Sequence, residues 1–305
     1  MPVSKDVASP LGADGCAQVV FRTARPSSTN VRRGLLFFVL LAASIVSIEL
    51  LTRTAVTGRP ILIDALVIFG AAFASSIAGF AFSALAGAVL LRDGGSPQHA
   101  LQIIVACSLA IQLLSTVSLR QAIRWRPLRT FLIGGAVGLP AGIYLLEHAP
   151  LAVYARGIGF FLLGYGAYVL LSRPRVVSIG PRSAAAVDIV SGMLGGITGG
   201  LAGFPGAFVT IWCSLRGWDK ARQRALFQPY IAIMQVATLT LLFTAARAAG
   251  RPAALSDFTA LAFVPIALCG AYLGLTVFAR LSDRQFSRIL ALLLVASGMN
   301  LAGLL

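Results

Sequence analysis

A glycine-rich stretch at residues 192–206, GMLGGITGGLAGFPG, has the composition expected of a binding site made from backbone groups. Glycine permits positive φ angles and close approach of a ligand, and Pro205 removes an amide donor and breaks a helix. A helix that begins at such a break exposes free N–H groups and a partial positive charge. A small anion can bind there without any lysine or arginine. The alternative explanation is tight packing of neighbouring helices through small residues.

A weaker counterpart lies at residues 75–83, which read SSIAGFAFS. Its serine hydroxyls can donate hydrogen bonds to the oxygen atoms of an anion, so the two stretches offer chemically different halves of one site. The substrate-binding candidates in both stretches are Ser75, Ser76, Gly79, Phe80, Ser83, Thr198, Gly199, Gly200, Gly203, Phe204, Pro205 and Gly206.

Four other polar residues lie within or beside apolar segments. Gln112 and Gln235 fall near the middle of predicted helices, where an unpaired amide is costly. Each is a candidate substrate ligand, or else a partner in an interhelical hydrogen bond. Asp64 and Asp188 begin the two longest apolar segments and are candidates for binding a coupling ion such as a proton. The alternative for both carboxylates is a helix cap at the membrane interface.

The sequence lacks the side-chain clusters of most catalytic and metal sites. His99 and His148 are its only histidines, its four cysteines have no CxxC spacing, and neither HExxH nor GxxxxGK[ST] occurs. These absences argue against a metalloenzyme, an ATP-driven pump and a disulfide framework, and we expect no cofactor and no metal. Two alternatives to a carrier remain. One is an anion channel, because re-entrant segments also occur in channels. The other is an integral-membrane enzyme.

The composition indicates that lipid is the solvent. Hydrophobic residues make up 58% of the 305 residues and charged residues 11%, against about 25% charged in an ordinary globular domain. Recurring apolar stretches of about 20 residues predict membrane-spanning helices. The formal net charge of +15 comes mainly from the tail and from gaps between these stretches, which indicates topology and not nucleic-acid binding. We expect a multi-pass protein of the bacterial inner membrane, with the lipid bilayer as its partner.

The apolar segments differ in length. Two segments, 61–91 and 185–213, run for about 30 residues, too long for one span and too short for two, with a glycine-containing interruption near each centre. Seven other apolar segments have the length of one span: 34–51, 100–119, 131–146, 151–171, 226–244, 258–278 and 286–304. The first of them is an extra helix. The polar residues 1–33, which precede it, are expected to form a disordered basic cytoplasmic tail.

The two long segments are related by a shift of 124 residues. This shift places Asp64 on Asp188, residues 78–80 on residues 202–204, and Arg92 on Arg216. An internal repeat is therefore predicted, with the first repeat at 61–171 and the second at 185–305.

The positions of the basic residues predict how the two repeats are oriented. If both long segments cross the membrane once, lysine and arginine divide 14 inside to 11 outside. If each enters and returns as a hairpin, they divide 19 to 6, which the positive-inside rule favours. The predicted fold class is an all-α polytopic membrane protein with two inverted repeats. Each repeat is a broken-helix hairpin plus three transmembrane helices, a plan found in secondary transporters.

The order of the glycine motifs resembles the TauE/SafE family of membrane transporters. The pattern GGxxGGLxGFPG at 195–206 leads into LRGWDK at 215–220, and the basic loop at 123–128 precedes a glycine-rich helix at 134–140. The resemblance covers about residues 61–305. It implies transport of small anions, typically sulfite, sulfoacetate or other sulfonates, and no enzymatic activity. The sequence departs from the family in its first motif, where Ser75, Ser76, Ala81 and Phe82 replace expected glycines.

These observations predict alternating access around a site at the membrane midplane. The two halves would rock about the two helix breaks, and backbone N–H groups, hydroxyls and the two glutamines would hold the anion. The expectation also depends on the absence of basic side chains deep in the predicted spans. The sequence leaves the transported anion, the direction, the coupling ion and the oligomeric state open.

Overall fold

A computed structural model describes residues 28–54, 61–79, 82–90, 97–148, 151–171, 176–202, 204–248 and 258–303, and these ranges contain helices and connecting turns without strands. Most of the predicted tail, Phe80 and Gly203 lie outside the described residues. The α-helices are α1 (Ser28–Thr54), α2 (Ile61–Ala78), α3 (Phe82–Leu90), α4 (Pro97–Ser118), α5 (Trp125–His148), α6 (Leu151–Leu171), α7 (Pro181–Ala202), α8 (Ala207–Leu215), α9 (Lys220–Ala248), α10 (Val264–Arg280) and α11 (Asp283–Ala302). Short 3₁₀ helices precede α5 and α10, at Arg120–Ala122 and Phe258–Phe263.

Within these ranges, five helical segments are long and apolar enough to cross a membrane: Ile61–Ala78, Trp125–Leu145, Arg182–Leu201, Lys220–Thr244 and Ala260–Arg280. Shorter apolar segments lie in α1, α4 and α6. The all-helical, multi-pass character predicted from composition is therefore confirmed.

Several helices begin at residue types that favour a helix start. Pro97 and Pro181 are the first residues of α4 and α7, where a missing N–H costs nothing. Helix α1 begins at Ser28, inside the segment expected to be a disordered tail, and serine is a preferred residue at a helix N-terminus.

Both long apolar segments are broken, as the sequence predicts. Helix α2 ends at Ala78 and α7 ends at Ala202, which are related by the same shift of 124 residues. The backbone of Gly79 has a φ of 90°, a left-handed conformation that only glycine adopts readily. The breaks lie within the predicted stretches 75–83 and 192–206, and they divide each hairpin unequally: α2 and α7 have 18 and 22 residues, whereas α3 and α8 have nine each. We call α2 with α3 the first hairpin, and α7 with α8 the second hairpin.

The second hairpin returns to the level at which it begins. Near the break, the N–H of Phe204 donates to the carbonyl of Thr198 at 3.2 Å. At the open end, the N–H of Val177 donates to the carbonyl of Leu215 at 2.8 Å. Helix α8 therefore runs back along α7, and the chain leaves the hairpin beside its point of entry.

Helices of the two predicted repeats pack on each other in reciprocal pairs. The second transmembrane helix after the first hairpin, α5, packs on α7, and the second transmembrane helix after the second hairpin, α10, packs on α2. Two further pairs join corresponding helices, α4 with α9 and α6 with α11. Each hairpin therefore has its longer arm attached to the other repeat.

Helices α5 and α7 approach so closely that a side chain has no room between them. A methyl group at Gly138 would overlap the carbonyl oxygen of Met193, and one at Gly196 would overlap that of Gly135. The packing explanation of the glycine pattern therefore holds for this seam, which includes one predicted substrate ligand, Gly200. The seam consists of Gly134, Gly138 and Gly142 on α5, and of Gly192, Gly196 and Gly200 on α7.

A similar seam joins α10 to α2. Methyl groups at Gly270 and Gly274 would overlap the carbonyl oxygens of Phe69 and Phe73. On α2, Ser76 occupies the position that corresponds to Gly200, so this seam is less glycine-rich. In each seam, residues later in one helix contact residues later in the other. Helix α5 therefore runs parallel to α7, and α10 runs parallel to α2.

We predict that Gly138→Ala destabilises the protein by about 1–3 kcal/mol, because the methyl group must push two backbones apart. Gly164→Ala in α6 is the matched control, since nothing lies within 4 Å of the added methyl group. It should leave stability unchanged or raise it by about 1 kcal/mol or less. Unfolding of the two purified variants in detergent measures the difference, and equal stability would contradict the seam.

Candidate functional site

Both helix breaks adjoin one turn of α9. At the first break, a methyl group on Gly79 would overlap the ring of Phe227 and would lie 3.5 Å from the amide nitrogen of Gln228. At the second hairpin, a methyl group on Gly195 would lie 2.6 Å from both the hydroxyl of Tyr230 and the carbonyl oxygen of Pro205. Residues 227–230 of α9 therefore lie against both hairpins.

This turn of α9 has two unusual features. The hydroxyl of Tyr230 donates to the carbonyl of Gly192 at 2.7 Å, which ties α9 to α7. Pro229 lies inside the helix and cannot donate to the carbonyl of Ala225, four residues earlier. One backbone hydrogen bond is therefore already missing at this turn, so α9 bends more easily here than elsewhere along the helix.

The candidate ligands that the structure describes at the second break lie close together, and hydrogen bonds of Thr198 close the hairpin. The hydroxyl of Thr198 lies 3.0 Å from the carbonyl oxygen of Leu194 and 3.1 Å from that of Phe204. A methyl group on Gly199 would lie 3.0 Å from Pro205 Cβ, and Gly206 precedes the first residue of α8. Binding of an anion by this group stays a prediction.

At the first break, the predicted serines have different environments. Ser75 donates to the carbonyl of Ala72 at 3.3 Å, within its own helix. Ser76 is completely buried, and its hydroxyl oxygen has no partner among the described residues. Ser83 is half-buried in the first turn of α3. The first break thus retains an unused hydroxyl, whereas the hydroxyl of Thr198 is used at the second.

Arg224 limits the expectation that no basic side chain lies deep in the spans, because its side chain extends inward from the start of α9. It is completely buried, in the fifth position of α9. Its two terminal nitrogens donate to the carbonyls of Ser76 at 2.5 Å and Ile77 at 3.4 Å, and its Cζ lies 4.2 Å from the ring centre of Phe278. The long side chain of a residue close to the helix start therefore reaches the first break.

Arg224 and Gln228 are the residues of this region that sequence reasoning missed. Lys220, Arg224 and Gln228 recur every four residues on α9, which places them on one face about 6 Å apart along the axis. Gln228 is 1% exposed, and neither atom of its amide has a partner among the described residues. This spacing is the available signal, but Lys220 and Arg224 both precede the predicted span 226–244.

The two predicted glutamines lie on the paired helices α4 and α9. The amide nitrogen of Gln235 donates to the hydroxyl of Ser108 at 2.7 Å, so the interhelical hydrogen bond is present for this residue. Gln112 is buried, and its amide oxygen has no partner among the described residues. A substrate contact by either glutamine stays a prediction.

The two predicted carboxylates have different environments. Asp64 lies in the first turn of α2, where a negative charge suits the helix dipole. Asp188 is buried and is not a helix cap, because α7 already begins at Pro181. It accepts from the indole of Trp212 at 2.6 Å and from Arg216 at 3.3 Å, which joins the arms of the second hairpin. Binding of a coupling ion by either carboxylate stays a prediction.

We predict that Trp212→Phe weakens the second hairpin, because a charge-assisted hydrogen bond to Asp188 is lost. Hydrogen bonds to charged groups contribute about 1.5–3 kcal/mol, so the free energy of unfolding should fall by that order. Trp218→Phe is the control, since Arg216 and Arg222 lie over the Trp218 ring and a phenyl ring can still receive them. Equal unfolding free energies of the two variants in detergent would contradict this role for Asp188.

A comparison with protein-family models identifies one match, described as sulfite exporter TauE/SafE, over residues 64–301. The matched region begins at Asp64 and extends into α11, so it includes both hairpins and the turn of α9 between them. No curated protein and no solved structure matches the chain.

Proposed function

Because the chain belongs to the TauE/SafE sulfite exporter family, a family of membrane transporters and not of enzymes, we propose that it carries sulfite or sulfonates by alternating access. We further propose that residues 61–171 and 185–305 are inverted repeats, and that the anion binds between the two helix breaks. In this proposal Gln112 and Gln235 contact the anion, and Asp64 and Asp188 bind a coupling ion away from the breaks.

The directions of the packed helices support the inverted arrangement. The second hairpin leaves beside its entry point, so α7 and α9 begin on the same side of the membrane. If α9 crosses once, α10 begins on the opposite side. Helix α2 runs parallel to α10 and therefore also begins on that opposite side. The two hairpins then enter the bilayer from opposite faces, which is the geometry of inverted repeats.

The single observation that carries the transport proposal is the contact of one turn of α9 with both hairpins. Gly79 lies against Phe227 and Gln228, and Gly195 lies against Tyr230. A rocking motion of one repeat against the other changes the contacts of this turn first. An anion held there is uncovered on alternate sides as the contacts exchange.

Cysteine labelling tests the inversion. In a background without native cysteines, Gly217→Cys is expected to react with a membrane-impermeant reagent from the cytoplasmic side, and His99→Cys from the opposite side. Gly180→Cys is the control for the second hairpin and should react from the same side as Gly217→Cys, because Val177 bonds to Leu215. Reaction of His99→Cys and Gly217→Cys from one side would contradict the inverted hairpins.

Transport itself is tested in inside-out vesicles with labelled sulfite and ethanesulfonate. We expect saturable, temperature-sensitive uptake, because a carrier must change conformation for each anion moved. Gly199→Val should reduce this uptake to that of vesicles without the protein, since its side chain pushes against Pro205 at the second break. Gly164→Val, at an open helix position, serves as control.

Two results would count against this function. The first is uptake of neither anion by folded wild-type protein. The second is uptake that never saturates, which would indicate a channel.

A further inference from the structure

Arg224 carries a positive charge that no described acidic side chain balances. The polar contacts of its guanidinium group are the carbonyls of Ser76 and Ile77 at the end of α2. A helix C-terminus offers only about half of an elementary negative charge, so these carbonyls offset the guanidinium charge only in part. Lys220, one turn away, differs because Asp283 lies beside it and accepts its backbone N–H at 3.1 Å.

Unused donors surround this charge. The Nε–H of Arg224 has no partner among the described residues, and neither has the hydroxyl of Ser76 or the amide of Gln228. All three side chains are 1% exposed or less. Unpaired buried polar groups are costly, and three of them at one break are what an oxyanion with several acceptor oxygens would satisfy.

We propose that Arg224, Gln228 and Ser76 bind the transported anion at the first helix break, and that this site takes a singly charged oxyanion of the sulfonate or bisulfite type. The Nε–H and the remaining terminal N–H groups of Arg224 donate to two oxygens of the anion. Gln228 and Ser76 donate to the other lone pairs. This inference rests on the proposed transport function.

The charge preference follows from burial. One monoanion neutralises one guanidinium group, whereas a dianion such as sulfate leaves a net negative charge in an apolar surrounding. The surroundings are apolar because Phe278 lies against the guanidinium group and the buried Phe227 lies against Gly79.

Binding to the purified wild-type protein in detergent tests this site, with ethanesulfonate and sulfate as probes and calorimetry as the readout. Ethanesulfonate should bind at least tenfold more tightly than sulfate. Arg224→Lys keeps a positive charge but removes the planar fork, and should weaken ethanesulfonate binding by roughly 10- to 100-fold. Arg222→Gln, at an exposed arginine two residues away, is the control and should leave binding unchanged.

Gln228→Glu separates binding from stability. The substitution preserves side-chain shape and places a carboxylate one helical turn from Arg224, where it competes with the anion for the guanidinium group. We expect a folded protein, with an unfolding temperature equal to or above that of the wild type, that no longer binds ethanesulfonate. A role of Arg224 confined to holding the end of α2 predicts unchanged binding in this variant.

The outcomes distinguish this site from the transport proposal. Wild-type affinity of folded Arg224→Lys and Gln228→Glu would overturn the site, even if sulfite uptake is observed. Tighter binding of sulfate than of ethanesulfonate would overturn the charge preference. Loss of ethanesulfonate binding in both variants, together with wild-type vesicles that move no anion, would support the site and refute transport.

Discussion

The architecture depends on the contact between backbones without intervening side chains, at the seams of α5 with α7 and of α10 with α2. Each seam attaches the longer arm of one hairpin to a spanning helix of the other predicted repeat. Because the glycines allow carbonyl groups to meet the opposite helix directly, neither arm can shift along its partner without a clash. Each hairpin is therefore held firmly against the helix that packs on its longer arm.

The turn of α9 at residues 227–230 contains the contacts that the proposed motion would change. It touches both hairpins, and Pro229 removes one of its backbone hydrogen bonds. The second hairpin is tightly closed near this turn, since the hydroxyl of Thr198 bonds to its own backbone. The first break instead meets a buried arginine and an amide with unused hydrogen-bonding capacity. The two breaks are therefore related in sequence but differ in chemistry.

The sequence was sufficient to predict the helical membrane character, the broken helices and the shift of 124 residues between their ends. It could not divide the glycines of the second hairpin by role. Gly200 faces α5 and Gly199 faces Pro205, although the two are adjacent and chemically identical. Which helix lies on each face depends on tertiary packing, and composition does not record it.

Charge position was the other limit of sequence reasoning. The positive-inside rule assigns a basic residue to the loop nearest its α-carbon, but the Arg224 side chain extends from the start of α9 to carbonyls 148 residues earlier in the chain. Asp188 was similarly misleading. Its position near a segment end suggested a cap, whereas its partner Trp212 becomes a neighbour only when the second hairpin closes.

A cryo-electron microscopy structure of the protein in lipid nanodiscs with bound ethanesulfonate would locate the anion relative to both breaks. Density for the sulfonate is expected within hydrogen-bonding distance of Arg224 and Gln228, beside Gly79 and against α9. Sulfonate density confined to the second break, or to Arg216 and Arg222 beside Trp218, would exclude a site at the first break.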